Sequence, residues 1–162
     1  MWTALLIAGL LLSGQQPSAI ISGSVVAPPQ QQILQPLQVI LLPPRYVDLW
    51  NTEVQKRQDL YWQQFQPALR NQKELFTEFS KRAHWDATIY VLNRMQLDLS
   101  NKFTEYLVEI APTGRFEFKN VSYGEYKILA MGKIGNQDVM WHELVEVQSP
   151  IPLFIELKKR IP

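Results

Sequence analysis

The two histidines, His84 and His142, are the side chains of this sequence best suited to acid–base or metal chemistry near neutral pH. His142 is followed directly by Glu143. Neighbouring residues on a regular strand point to opposite faces, so these two side chains cannot bind one metal ion together. The chain has no cysteine, which excludes disulfides, zinc–thiolate sites and thiol nucleophiles. We therefore expect no metal site and interpret both histidines as ordinary surface or interface residues.

The motifs that usually mark catalytic or cofactor sites are absent from the sequence. It contains no glycine–serine–glycine nucleophile elbow, no phosphate-binding loop and no dinucleotide fingerprint. Ser22 and Ser24 flank a glycine in a stretch with strand character, and we interpret them as hydroxyls on an exposed face. The sequence therefore predicts a protein that is not an enzyme and that carries no cofactor.

Composition and charge limit the kinds of partner. The 162 residues include 16 basic and 15 acidic side chains, a formal net charge of +1, so no strong field attracts nucleic acid or an anionic membrane. With 46% hydrophobic and 11% aromatic residues, the chain has enough material for one domain with a substantial core. We expect a single folded domain with no nucleic-acid partner.

The first 19 residues predict an export signal. The apolar run over residues 1–12 is shorter than the roughly 20 residues that span a bilayer, and small residues follow it up to Ala19. This predicts a signal peptide over residues 1–19 and a mature domain over residues 20–162. The protein would then be secreted or periplasmic, with no membrane span after signal removal. The alternative is a buried first strand or a retained anchor, because no Lys or Arg precedes the apolar run and Pro17 is unfavourable near the cut.

Segments rich in β-branched or alternating apolar residues predict about seven strands. Gly124 lies between two of them, at a tight turn that needs a positive φ, and Gly135-Asn136 predicts a hairpin. Glu143 interrupts the apolar face of its strand, which predicts either a bulge or an edge strand. The predicted strands are residues 20–27, 37–42, 106–110, 139–147 and 153–157, together with two strands within residues 114–130 that the turn at Gly124 separates.

The segment between the second and third strands predicts long helices, because residues 45–111 hold no glycine and only one proline, Pro67. Side chains spaced three or four apart form a mainly apolar stripe, typical of an amphipathic helix that begins between Asp48 and Thr52. Pro67 must kink this helix or begin a second one. The stripe holds Trp50, Val54, Arg57, Tyr61, Phe65, Ala68, Gln72, Leu75 and Phe79, and Trp62, Leu69 and Phe76 widen it.

A second periodic run extends from Trp85 to Phe103. Its spacing predicts a helix, but residues 88–91 prefer a strand, so both alternatives stay open at this point. If the run is a helix, the two runs form a helical hairpin that turns near residues 81–84. We place this helical insert at residues 47–103.

The strand pattern resembles the carboxypeptidase regulatory-like domains, which are transthyretin-like antiparallel β-sandwiches also grouped under a carbohydrate-binding-like fold. The matching stretches are residues 21–25, 114–118 and 121–130. The resemblance implies a mainly β fold, an antiparallel sandwich of about seven strands, with the helical hairpin inserted between strands two and three. It does not extend to the insert, and Pro112-Thr113-Gly114 lacks the acidic residue usual in the family. Because such folds host many functions, the resemblance implies no reaction.

The aromatic residues of the insert are the clearest functional signal. Three of the five tryptophans of the chain lie there, so the candidate partner-binding residues are Trp50, Trp62, Phe65, Phe76 and Trp85. The alternative is that these side chains pack the hairpin against itself and against the sandwich.

We expect an exported, non-enzymatic interaction or structural module of the cell envelope. Its partner would be an envelope or extracellular protein, or a second copy of the chain, bound through the insert. The alternative is a carbohydrate-binding module that uses the sandwich face, where Tyr123 and Trp141 are the candidate glycan-binding residues.

Overall fold

The computed structural model describes residues 17–27, 36–110, 114–158 and 160–161. Within them, seven strands form two sheets and two long helices are inserted between β2 and β3, which confirms the expected fold class. A short 3-10 turn at Phe103–Glu105 follows the helices. The elements are β1 Ser18–Val25, β2 Leu37–Leu42, α1 Pro44–Asn71, α2 Lys73–Asp98, β3 Leu107–Ile110, β4 Arg115–Ser122, β5 Gly124–Ile134, β6 Gln137–Val147 and β7 Leu153–Leu157.

The predicted signal peptide lies almost entirely outside the described residues. The described residues begin at Pro17, and β1 starts at Ser18. Ala19 pairs with Val121 and belongs to the core. The predicted cleavage point after Ala19 therefore falls inside a strand.

The sheets have the strand orders β4-β1-β7 and β3-β2-β5-β6. All neighbouring strands run antiparallel except β1 and β7, which are parallel. After β7 the chain crosses to the edge of the four-stranded sheet, where Arg160 bridges Trp141 and the Ile161 amide donates a 2.8 Å hydrogen bond to the Met140 carbonyl. The end of the described chain thereby covers part of the β6 edge.

The first core lies between the two sheets and follows from alternation along the strands. Phe116 and Phe118 enter it from β4, while Tyr126 and Ile128 enter it from β5. These two strands belong to different sheets, so the turn before Gly124 (φ 152°) carries the chain across the sandwich instead of forming a hairpin. The expected β5–β6 hairpin at Gly135 (φ 59°) is confirmed.

A second core lies on the other face of the four-stranded sheet, beneath the helical hairpin. It consists of Ile40, Leu42, Leu129, Met131 and Met140 from the strands, and Tyr46, Val47, Trp50, Val54, Ala87, Val91 and Met95 from the helices. Strands buried on both faces are apolar almost throughout, which explains the run over Leu37–Leu42. The protein is therefore a three-layer structure of helical hairpin, four-stranded sheet and three-stranded sheet.

The helical boundaries differ from those expected. α1 begins at Pro44, because a proline at the first helical position has a suitable φ and needs no amide partner. The hairpin turns at Gln72, which is extended (φ −132°, ψ 93°), and not near residues 81–84. Pro67 weakens the end of α1, where Phe65 is non-helical (φ −121°, ψ 15°), whereas residues 81–84 contain no helix breaker.

The segment after Trp85 is helical as far as Asp98, which settles the open choice between helix and strand. The strand preference of Thr88 and Val91 is overridden because both side chains are fully buried in the packed hairpin. Glu143 lies on the edge strand β6 and pairs with Ile128 in an unbroken register, so the strand has no bulge there. The edge position therefore explains why a charged residue interrupts the apolar face.

Candidate functional site

The five candidate partner-binding residues lie in three different environments. Trp50 is only 4% exposed. Its indole nitrogen donates a 2.8 Å hydrogen bond to the Thr88 hydroxyl, and its ring lies 5.5 Å from the His84 ring and 4.2 Å from Lys127 Nζ. Trp50 therefore packs the helices onto the sheet and has no free surface for a partner.

Trp62, Phe65 and Phe76 lie in the outer part of the hairpin, which we call the hairpin tip (residues 60–77). Together with Leu60, they are between 38% and 51% exposed. None of the residues 60–77 whose burial is described is buried. Residues 60–71 of α1 alone rise by about 18 Å at 1.5 Å per residue. The tip is thus a projecting helical pair that the sheet does not cover.

Part of the aromatic surface at the tip is held in place by stacking. The Phe65 ring stacks on Phe79 with centroids 4.7 Å apart, and Tyr61 contacts the same ring at 5.2 Å. The Tyr61 hydroxyl also donates a 3.2 Å hydrogen bond to Asp86. These contacts join the two helices, while one side of Phe65 stays open to solvent.

Trp85 occupies a third environment, beside a cavity of about 430 Å³ that we call the Trp85 cleft. The cleft lies between α2 and the start of β6, and Met140 and Ile161 contribute buried apolar side chains to it. Trp85 itself is half-buried. The remaining lining residues are mostly polar: Glu78, Lys81, Arg82, His84, Asn136, Gln137, Asp138 and Val139.

The charged groups around the Trp85 cleft are each paired with an oppositely charged neighbour. Lys81 lies 3.1 Å from Glu78 on α2. Arg82 lies 2.9 Å from Asp86, also on α2. Across the cleft, Lys133 and Asp138 face each other at 3.9 Å in the β5–β6 hairpin. The rim therefore combines donors and acceptors without an excess of either charge.

His84 lines the same cleft, and its ring lies 5.5 Å from the Trp50 ring. Its Nδ1 lies 2.7 Å from the Ser80 carbonyl oxygen, which can only accept, so the ring proton is on Nδ1. Burial lowers the pKa of His84, the hydrogen bond to Ser80 opposes this shift, and the positive charge of Lys127 adds to it. In the neutral ring Nε2 is then an acceptor.

A second cavity of about 410 Å³ also has Trp85 in its lining. It is bounded by the ends of β2, β3 and β5, with Gln38, Glu109 and Lys133 as its polar groups. Pro36, Met131 and Gly132 complete its lining. The Trp85 side chain is therefore shared by two neighbouring cavities.

The two candidate glycan-binding residues do not form a common surface. Trp141 is 0% exposed in the core between the sheets, so its ring offers no face to a sugar. Its indole nitrogen is buried and has no hydrogen-bond partner within the described ranges. Tyr123 is 39% exposed at the turn between β4 and β5.

His142 and Glu143 point to opposite faces of β6, as alternation requires. Both border a third cavity of about 300 Å³, together with Asn51, Glu125 and Lys127. Among the described residues, no group of three or more His, Asp or Glu side chains could hold a metal ion. In the same residues, no helix has the length and apolarity needed to cross a bilayer.

Sequence reasoning identified Trp85 but missed the residues around it. Asn136, Asp138 and Ile161 lie far from α2 in the sequence and reach the cleft only through the path of β5, β6 and the chain after β7. No local pattern distinguishes them from ordinary turn and surface residues. The only sequence signal was the tryptophan itself.

Comparisons with known proteins identify no family. No protein-family model matches the sequence, and no curated protein matches it. A solved structure from Pseudomonas aeruginosa, described as "a putative carbohydrate binding protein", is 15% identical with a TM-score of 0.41, and the match covers 88% of this chain and 89% of that one. The pilus backbone protein of Streptococcus pneumoniae is 12% identical with a TM-score of 0.34, over 88% of this chain and 41% of that one. Both are weak structural similarities, and neither indicates a function for this chain.

Proposed function

We propose that this chain is an exported, non-enzymatic interaction module of the cell envelope that binds a protein partner through its hairpin tip. The main support is the exposure of four large apolar side chains, Leu60, Trp62, Phe65 and Phe76, on a helical pair that the sheet leaves uncovered. Grouped apolar side chains at a projecting surface are typical of interaction sites.

The chemistry of the tip favours a protein over a membrane as the partner. Aromatic side chains are enriched in the centres of protein interfaces, where they supply much of the binding energy. Attachment to anionic lipid usually needs a cluster of about four to eight basic residues. Residues 60–77 contain Arg70 and Lys73 against Glu74, a net charge of only +1. An apolar groove on another protein suits this surface better.

The remaining parts of the proposal come from the sequence. The apolar residues 1–12, followed by small residues, support export. The absence of catalytic motifs supports a non-enzymatic role. The proposed membership of the carboxypeptidase regulatory-like domains is supported by the two-sheet architecture, whereas the helical insert is not part of that resemblance.

Site-specific photo-crosslinking in intact cells tests the proposed partner surface. A photoreactive amino acid is placed at Trp62 or Phe76 in the tip, or at Phe154, which is 64% exposed on β7. We expect one discrete adduct with an envelope protein from either tip position and none from position 154. Mass spectrometry of the adduct distinguishes a different protein from a second copy of the chain.

A matched pair of variants provides the control. Phe65→Ser should abolish the adduct formed from position 76, whereas Phe154→Ser should leave it unchanged, because only the first alters the tip. Absence of an adduct at both tip positions, or equal adducts at positions 76 and 154, would reject the proposal. Crosslinking to lipid alone would assign the tip to the membrane instead.

A further inference from the structure

We infer that Trp85 and the two cavities beside it bind a neutral, linear oligosaccharide. This inference does not depend on the proposed role of the hairpin tip. The first observation is that Trp85 lines both the Trp85 cleft of about 430 Å³ and the second cavity of about 410 Å³. Each volume lies within the range of about 300–1,000 Å³ that is typical of small-molecule sites. A ligand that crosses the indole enters both cavities, so its shape is elongated.

The charges around the two cavities favour a neutral ligand. In the Trp85 cleft, Lys81 is paired with Glu78, and Asp138 is paired with Lys133. The second cavity contains Glu109 together with the same Lys133. A strongly anionic or cationic ligand would have to compete with these neighbouring charges, whereas a neutral one would not.

The hydrogen-bonding groups favour a ligand with many hydroxyls. Gln38 lines one cavity, while Asn136 and Gln137 line the other, and all three amides are exposed to solvent. Each amide offers both a donor and an acceptor, as each sugar hydroxyl does. His84 also lines the Trp85 cleft.

The half-buried indole of Trp85 supplies the apolar part of the site. A pyranose ring has C–H groups on its faces and hydroxyls around its edge. An aromatic side chain with polar groups on either side matches this distribution, because the apolar surfaces meet while the hydroxyls reach the amides. Buried Met140 and Ile161 extend the apolar floor of the cleft.

An extended peptide fits this site less well than a glycan. Peptides commonly bind in a groove by adding a strand to an open sheet edge. At Met140, the edge of β6 is already used, because the Ile161 amide donates to the Met140 carbonyl at 2.8 Å and Arg160 bridges Trp141. The neighbouring strand β5 is paired on both sides, by β2 and β6. Along β5 and at Met140 of β6, the groove therefore offers side-chain recognition without backbone pairing.

Isothermal titration calorimetry with the full mature protein tests the inference. The probes are maltohexaose, cellohexaose, xylohexaose and chitohexaose with their disaccharides, a hyaluronan hexasaccharide as the charged comparison, and a polar hexapeptide. We expect at least one neutral hexasaccharide to bind, and its disaccharide to bind about tenfold or more weakly because it fills one cavity. Trp85→Ala should weaken binding by about tenfold or more, and Trp85→Phe by less, since it keeps an aromatic ring.

Variants at two exposed amide residues provide a control in case the Trp85 variants fail to fold. Gln38 and Gln137 line different cavities, and Gln38→Ala and Gln137→Ala should each weaken hexasaccharide binding in a protein with unchanged thermal unfolding. Trp62→Ala, at the hairpin tip, should leave sugar binding unchanged. The inference is overturned if no neutral hexasaccharide binds, if only hyaluronan or the peptide binds, or if Gln38→Ala and Gln137→Ala both have no effect. None of these outcomes bears on photo-crosslinking at the tip.

Discussion

The Trp50 indole nitrogen donates a hydrogen bond of 2.8 Å to the Thr88 hydroxyl, deep between α1 and α2. Thr88 in turn donates to the His84 carbonyl at 2.8 Å, so its hydroxyl both accepts and donates. On the sheet side, Lys127 from β5 lies 4.2 Å from the Trp50 ring and donates to Asn51 at 2.9 Å. The Trp50 side chain therefore joins both helices to the four-stranded sheet.

Trp50→Phe should destabilise the fold by about 1–3 kcal/mol, because it removes the indole donor and leaves the buried Thr88 oxygen without its partner. Urea unfolding of Trp50→Phe, Thr88→Val and the double variant measures the coupling, which we expect to be about 1 kcal/mol. Trp62→Phe is the matched control and should change stability by less than about 0.5 kcal/mol. Equal losses at positions 50 and 62 would contradict the assigned roles.

The part of the hairpin that covers the four-stranded sheet should be required for folding, whereas the hairpin tip should not. Removing the entire hairpin would expose Ile40, Leu42 and Leu129, which are fully buried beneath it. We expect that variant to aggregate. Replacing only residues 60–77 by a short Gly-Ser link should preserve a cooperative thermal transition. None of the replaced residues whose burial is described is buried, so both cores stay intact. A soluble, cooperatively folded protein without the whole hairpin would disprove this division.

His84 should make stability depend on pH below neutrality. Burial lowers its pKa in the folded state below the usual 6.5, so the unfolded chain binds a proton more readily. The contribution of neutral His84 to the free energy of unfolding is fully present above pH 6.5 and is lost as the pH falls through the folded pKa. Unfolding free energies from pH 8 to pH 5 should therefore decrease less for His84→Gln than for the unaltered protein. Parallel profiles for the two proteins would show that His84 is not the responsible group.

Gly23→Ala should be strongly destabilising. Gly23 lies in the middle of β1, and an added Cβ would collide with the Ile155 carbonyl and the Phe116 ring. Overpacking of this kind costs about 1–3 kcal/mol, and here backbone atoms must also move. Ser24→Ala on the same strand is the control, with an expected change within about 0.5 kcal/mol. Thermal unfolding compares the two, and a stable Gly23→Ala protein would place β7 further from β1 than the structure does.

Much of the fold could be predicted because its signals are local. Alternation identified every strand to within a few residues, and Gly135 marked the one hairpin turn correctly because its φ of 59° favours glycine. The helical turn could not be placed in the same way. Gln72 has no intrinsic preference for ending a helix, and the turn results from Pro67 upstream combined with packing of the two helices.

The candidate sites were less predictable than the fold. Periodicity placed Trp50, Trp62 and Phe65 on one helical surface, yet Trp50 is buried and the other two are exposed. The difference depends on where the hairpin extends beyond the sheet. Trp141 was interpreted as a possible sugar platform, but its face of β6 turned out to be the one between the two sheets.

The sequence by itself determined the strand segments, the helical insert and its aromatic content, because alternation, helical periodicity and the placement of glycine and proline act over a few residues. Only the tertiary structure decided that β4 and β5 lie in opposite sheets, that β1 and β7 run parallel, and that Trp85 lines two cavities. Burial and cavity shape arise from contacts between residues far apart in the chain. No local pattern records which of two similar tryptophans such contacts will cover.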